Sequence, residues 1–123
     1  MKTYGMELIL DLHDCNPSRF TRDYITIFMD RLCTKIDMQK EDLHFWDYEG
    51  EEEEYEKAPP HLKGTSAIQF IKTSNVTIHT LDVMKRVYLN IFSCKKFDAD
   101  EAAKFSAEYF QGTVVNTCVV ERI

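Results

Sequence analysis

Residues 66–94 run SAIQFIKTSNVTIHTLDVMKRVYLNIFSC. They hold three runs dense in β-branched and aromatic residues, SAIQFIKT, VTIHTL and RVYLNIFSC, the composition of strands on a pleated, half-buried surface. Between the runs lie only the dipeptide SN and the tetrapeptide DVMK. A parallel crossover needs a dozen or more residues, so links this short commit the three runs to an antiparallel arrangement. The rest of the chain must be built around that sheet.

Upstream, MELILDLHD carries leucines at 8, 10 and 12, the period-2 pattern of a half-buried strand. Asn16 and Pro17 then supply the cap and first position of a helix. Phe20, Tyr24, Phe28, Leu32 and Ile36 follow at helical spacing, with Ile25 and Ile27 beside the stripe. LHFWDY (43–48) reads as a short strand. Over about residues 49–63 the chain is acidic and ends in a proline pair, which predicts a solvated loop, because like charges repel and proline cannot join a central sheet. Downstream, Asp98 and Glu101 stand at capping-box spacing before a stripe of Ala102, Phe105 and Tyr109, with Gly112 as terminator. TVVNTCVVERI closes the order as a strand. The sequence predicts an α+β fold over residues 1–123 as one domain, an antiparallel sheet with two helices packed on one face.

Composition narrows the function. A formal net charge of −6 argues against nucleic acid, which requires a basic face. No apolar run reaches the length of a membrane span, and MKTYGMELILDLHD lacks the apolar core and cleavage site of a signal peptide. The expectation is a cytoplasmic protein without membrane partners. Cys15, Cys33, Cys94 and Cys118 are scattered without a CxxC pair, as expected of free thiols in a reducing compartment. No metal site is expected: His13, Cys15 and His79 lack compact ligand spacing, and Glu51–Glu54 lacks the alternation and glycine of a calcium loop.

Ser66, Ser74, His79 and Cys94 are the chemical groups of the strand region. Each has an ordinary explanation by residue type: hydroxyls are common on half-exposed strands, and a cysteine ending a strand is usually a small hydrophobe. The GxSxG pattern of a serine hydrolase is absent, and no carboxylate is marked as the orienting third member of a triad. Tyr88, Asn90, Phe92 and Cys94 share one parity, as do Thr77, His79 and Leu81, so the sheet has a second face that mixes polar and aromatic groups.

The segment SNVTIHT resembles SHLSIHT of the short prokaryotic S-adenosylmethionine decarboxylases. GMELILDLHDCNP is similar to that family's opening strand and turn, and FSCKKFDADEAAKFSAEYF to the strand, cysteine and second helix after its motif. The resemblance covers nearly the whole chain except the acidic stretch. It implies a sandwich fold and a proenzyme that cuts itself between Thr73 and Ser74. Ser74 would become the pyruvoyl group that forms the Schiff base with the substrate. His79, five residues on, would be the processing base, Ser66, eight before, a second processing residue, and Cys94, twenty after, the proton donor. The implied cofactor is the pyruvoyl group alone, without metal, and the implied assembly is a homodimer acting on a small amino-acid-type substrate in polyamine synthesis.

The chain also departs from that pattern. Thr73 stands for the family's glutamate and Asn75 for its histidine. After His79–Thr80 come Leu81, Asp82 and Val83, where the family has tryptophan, proline and glutamate. Leucine offers no aromatic face for adenine and valine accepts no hydrogen bond from ribose. Three readings follow: nucleoside recognition by other residues such as Phe45, Trp46 or Phe92; a pyruvoyl decarboxylase of arginine or ornithine; or an unprocessed relative that serves as a binding or regulatory partner.

Overall fold

In the computed structural model, which describes residues 2–123, strands β3 (Gly64–Ile71), β4 (Ser74–Leu81) and β5 (Arg86–Ser93) form the expected meander. Ile71 pairs with Ser74, so the first link is Lys72 and Thr73 and not the dipeptide Ser74–Asn75 that the sequence runs left between them; Leu81 pairs with Arg86 across a four-residue link. β2 (Lys40–Trp46) adds to β3, and β1 (Gly5–His13) slots between β5 and the last strand, β6 (Thr113–Arg122). The sheet has six strands in the order β2-β3-β4-β5-β1-β6, and every neighbouring pair is antiparallel.

Alternation then sorts the side chains. Leu8, Leu10 and Leu12 of β1, Val76 and Ile78 of β4, and Val87, Leu89 and Ile91 of β5 are all buried, and helices α1 (Arg22–Lys35) and α3 (Ala99–Phe110) cover that face. Phe28 of α1 sits at the helix–helix contact, fully buried, with ring centroids 5.8 Å from Phe105, 5.4 Å from Tyr109 and 4.7 Å from Phe110. This is the expected α+β layering, with two substantial helices on one side.

The differences from the sequence reading lie at helix ends and in the acidic stretch. Asn16 caps only a 3-10 turn, Pro17–Arg19, accepting from Ser18 N at 3.0 Å. The helix proper starts at Arg22 under a Thr21 cap. Ile25, Phe28, Met29, Leu32 and Cys33 face the core, while Tyr24 and Ile27 are exposed, because strict steps of four drift around a helix of 3.6 residues per turn and the buried stripe follows mixed steps of three and four. α3 begins under Asp98, which accepts from Glu101 N at 3.0 Å, but its left-handed C-terminal residue is Gln111. Gly112 is there for space, since a Cβ would lie 2.4 Å from Cys15 Sγ.

The acidic stretch is not a plain loop. Glu52–Lys57 form a short helix, α2, and Pro60–Leu62 a 3-10 turn. Three glutamates in its first turn face the positive end of the helix dipole and Lys57 its negative end, which offsets their mutual repulsion. Tyr55 on α2 donates to Asp82 Oδ2 at 2.7 Å in the β4–β5 link, pinning the helix to the sheet's end.

Phe28→Ala is expected to lower unfolding free energy by about 3–5 kcal/mol in urea titration, the cost of an aromatic-sized cavity. Tyr24→Ala, one turn away on the exposed side, should cost less than about 1 kcal/mol.

Candidate functional site

The two-residue link between β3 and β4 leaves Thr73 at φ +57°, in the left-handed region. For a β-branched residue this is strained backbone, worth roughly 1–3 kcal/mol. Ser74 follows as the first residue of β4, buried, and its Oγ accepts a hydrogen bond from Cys94 N at 2.9 Å. The Thr73 hydroxyl lies 2.7 Å from the Lys72 carbonyl oxygen and 3.2 Å from Cys94 Sγ. Cys94 is held just beyond β5 by a local pinch: Ser93 Oγ donates to Lys95 O at 2.6 Å and accepts from Lys95 N at 3.0 Å. A hollow of about 270 Å³ opens beside this cluster, bordered by Met38, Ile71, Thr73, Ser74 and Cys94.

These contacts set Cys94 apart from the other thiols. The Thr73 hydroxyl first, then the Ser74 hydroxyl, draw its pKa below the ordinary thiol value, and the nearby Lys95 charge adds to the effect. Burial instead pushes Cys15 and Cys33 up to about 11. A partly exposed thiol with a lowered pKa gives up its proton more readily than an ordinary cysteine, whereas burial holds the other two protonated.

Ser66 and His79 form a second cluster on the uncovered face of the sheet. They are register partners on β3 and β4, and Ser66 Oγ lies 2.7 Å from His79 Nδ1. The same row continues to Trp46 on β2 and to Tyr88 on β5. A hollow of about 290 Å³ adjoins it, lined by His44, Trp46, Ser66, Ile68, Thr77 and His79 among others.

The structure therefore brings Thr73, Ser74 and Cys94 together and, separately, Ser66 and His79. It does not unite the two groups within one chain. Ser74 has the parity of the buried residues Val76 and Ile78, His79 the opposite parity, and five residues of strand separate them by about 16 Å. Of the residues proposed to replace the missing nucleoside contacts, Trp46 borders the second hollow, while Phe92 stacks on Tyr4 on the same open face. Leu81 shares the face with His79, and Val83 is exposed in the β4–β5 link. Sequence reasoning missed the Thr73–Cys94 contact. Its signal was the two-residue link, because such hairpins demand a positive φ.

Among the described residues, no group of three or more His, Cys, Asp or Glu is gathered to hold a metal ion, and no helix is long and apolar enough to cross a membrane.

Fold and site together define a two-layer α+β protein with a strained turn that presents a serine and a thiol. The crystal structure of the adenosylmethionine decarboxylase from Aquifex aeolicus VF5 has the same fold, with a TM-score of 0.75, 16% sequence identity, and coverage of 99% of this chain and 92% of that one. No curated protein matches the sequence. The family model for S-adenosylmethionine decarboxylase matches residues 6–123, and the chain belongs to that family.

In a Cys118→Ser background, iodoacetamide should label Cys94 with a pH midpoint below the ordinary thiol value. Thr73→Val removes the first cause of the depression and should move that midpoint upward, as read by mass-resolved alkylation rates.

Proposed function

We propose that the chain is the self-cleaving proenzyme of an S-adenosylmethionine decarboxylase, with Ser74 the precursor of a pyruvoyl group. The observation that carries this reading is the strained Thr73 immediately before a buried Ser74 whose Oγ is already held by Cys94 N. A main-chain carbonyl in a strained turn, next to a fixed hydroxyl, approaches the near-attack arrangement an acyl shift needs. Ser74 Oγ adds to the Thr73 carbonyl carbon, the Ser74 nitrogen leaves, and an ester replaces the peptide. Removal of the Ser74 α-proton then expels Thr73 as a carboxylate. The resulting dehydroalanine takes up water and loses ammonia, which leaves the pyruvoyl group at the head of a chain beginning at position 74.

The surroundings of Ser74 fit such a group. An open hollow of about 270 Å³ gives a substrate access, and Cys94 borders it with both its N–H and its thiol. A pyruvoyl group there supplies a carbonyl that takes the substrate's amine and accepts the electron pair left when CO₂ departs. Cys94, whose thiol borders the same hollow, is the residue to return a proton to the substrate carbon. This reading needs no metal.

The processing base is His79, oriented by Ser66 at 2.7 Å. Its position about 16 Å from Ser74 along β4 favours a homodimer, in which the Ser66–His79 pair of one copy serves the Ser74 of the other. The uncovered sheet face is the surface on which two copies would meet. Four free cysteines accord with action in the cytoplasm. The family match favours S-adenosylmethionine over arginine or ornithine as substrate, and over a partner without chemistry.

Intact-mass measurement of denatured protein should show two fragments meeting at the Thr73–Ser74 bond, the second blocked at its terminus, and one full-length mass for Ser74→Ala. A full-length wild-type mass after long incubation would overturn the proposal. His79→Ala should remain uncut alone, yet be cut when co-assembled with Ser74→Ala, whose His79 is intact. Thr73→Gly, which relaxes the positive φ, should slow cleavage by about tenfold, equivalent to about 1.4 kcal/mol of strain.

A further inference from the structure

The chemistry proposed at Ser74 conflicts with the surroundings of Cys94 in the uncut chain. A proton donor must carry its proton when the substrate arrives. In the uncut chain the Thr73 hydroxyl, 3.2 Å from Cys94 Sγ, and then the Ser74 hydroxyl favour the charged thiolate instead. Both groups change when the Thr73–Ser74 bond is cut. The elimination breaks the Cβ–Oγ bond of Ser74, the electron pair stays on the oxygen, and the Ser74 α-proton goes to the base. Ser74 thereby loses its hydroxyl, and Thr73, neutral while its carbonyl was part of a peptide, ends the first chain as a carboxylate.

We propose that self-cleavage arms Cys94: the carboxylate it leaves on Thr73 stays beside the thiol and holds it in the protonated form that the reaction uses. This rests on the decarboxylase reading above. The geometry keeps the new charge close. The carboxyl carbon and the hydroxyl of Thr73 are joined through its Cα and Cβ, so the carboxylate lies within roughly 7 Å of Cys94 Sγ. Ile71, two residues back, is buried and paired with Lys40 of β2 and Ser74 of β4, which tethers the new chain end to the sheet. Lys72 and Lys95 border the same hollow and attract a carboxylate into it. The remaining charge there, Asp37 after α1, is engaged with Lys95 through its carbonyl oxygen and, at 3.4 Å, its carboxylate. β1 approaches Cys94 through the uncharged Gly5, and in the proposed homodimer His79 of the second copy faces it in cut and uncut chains alike. Of these groups only Thr73 changes charge on processing, and a negative charge added beside a thiol disfavours the thiolate.

Thiol reactivity in cut and uncut protein tests this, in a Cys118→Ser background where Cys94 is the sole cysteine of residues 74–123. Ser74→Ala is the uncut reference, because it lacks the same hydroxyl that processing removes. Mass-resolved iodoacetamide labelling across pH should give the self-processed protein the higher midpoint, with labelling about tenfold slower near neutrality. In about 1 M sodium chloride the difference should shrink to about twofold, because a charge at this distance is screened. Thr73→Val gains the same carboxylate when cut, and should show the same slowing relative to its own Ser74→Ala double variant. Equal or faster labelling after the cut overturns the proposal, as does a difference that salt leaves intact. Loss of the difference in cut Thr73→Val also overturns it, by assigning the effect to the hydroxyl. A wild type that never cleaves overturns the decarboxylase reading and this inference with it, whereas a cleaved protein with unshifted labelling overturns this inference alone.

Discussion

The two-residue link between β3 and β4 is the constraint on which the site depends. Two residues can reverse an antiparallel pair only with unusual backbone geometry, and here Thr73 supplies it at φ +57°. The same brevity makes Ser74 the first paired residue of β4, sets its Oγ against Cys94 N, and turns the Thr73 hydroxyl toward the Cys94 thiol. A longer link would relax the strain and release the serine. The rest of the sheet holds this corner in place, because β4 is hydrogen-bonded along its length to β3 on one side and β5 on the other.

Side-chain alternation divides the remaining chemistry between two faces. One face is sealed by α1 and α3 around Phe28, and apart from Ser74 at the start of β4 the buried residues there serve stability. The other carries Trp46, Ser66, His79 and Tyr88 in one register row. Ser74 and His79, five apart, fall on opposite sides of that division by parity alone. One copy of the chain cannot bring both to one reacting atom without moving a central strand, and the proposed site shared between two copies avoids that.

The acidic stretch shows how local charge can mislead. Consecutive glutamates repel one another in an extended chain, yet at the start of a short helix they meet unpaired backbone N–H groups, and Tyr55 and Tyr48 give the segment apolar contacts. Those contacts belong to tertiary structure: the partner of Tyr55, Asp82, is 27 positions away. Burial raises the Asp82 pKa, although the Tyr55 hydrogen bond acts against it.

The sequence by itself determined the succession of strands and helices along the chain and the antiparallel sense of the short links, because alternation and link length are local properties, while the order of the strands in the sheet came only from the structure. The resemblance to the family, carried by spacing along the chain, marked Ser66, Ser74, His79 and Cys94. The helix was only partly legible: Pro17 and Asn16 carry a true start signal, but for a 3-10 turn, and Thr21 caps the helix that packs, in which Tyr24 is exposed and Ile25 buried because packing selected the face. Only the tertiary structure decided that Thr73 touches Cys94, that Ser66 pairs with His79, and that Trp46 stands in their row. Each depends on the register between strands, and register is set when side chains from distant segments pack into one core, which no single stretch of sequence specifies.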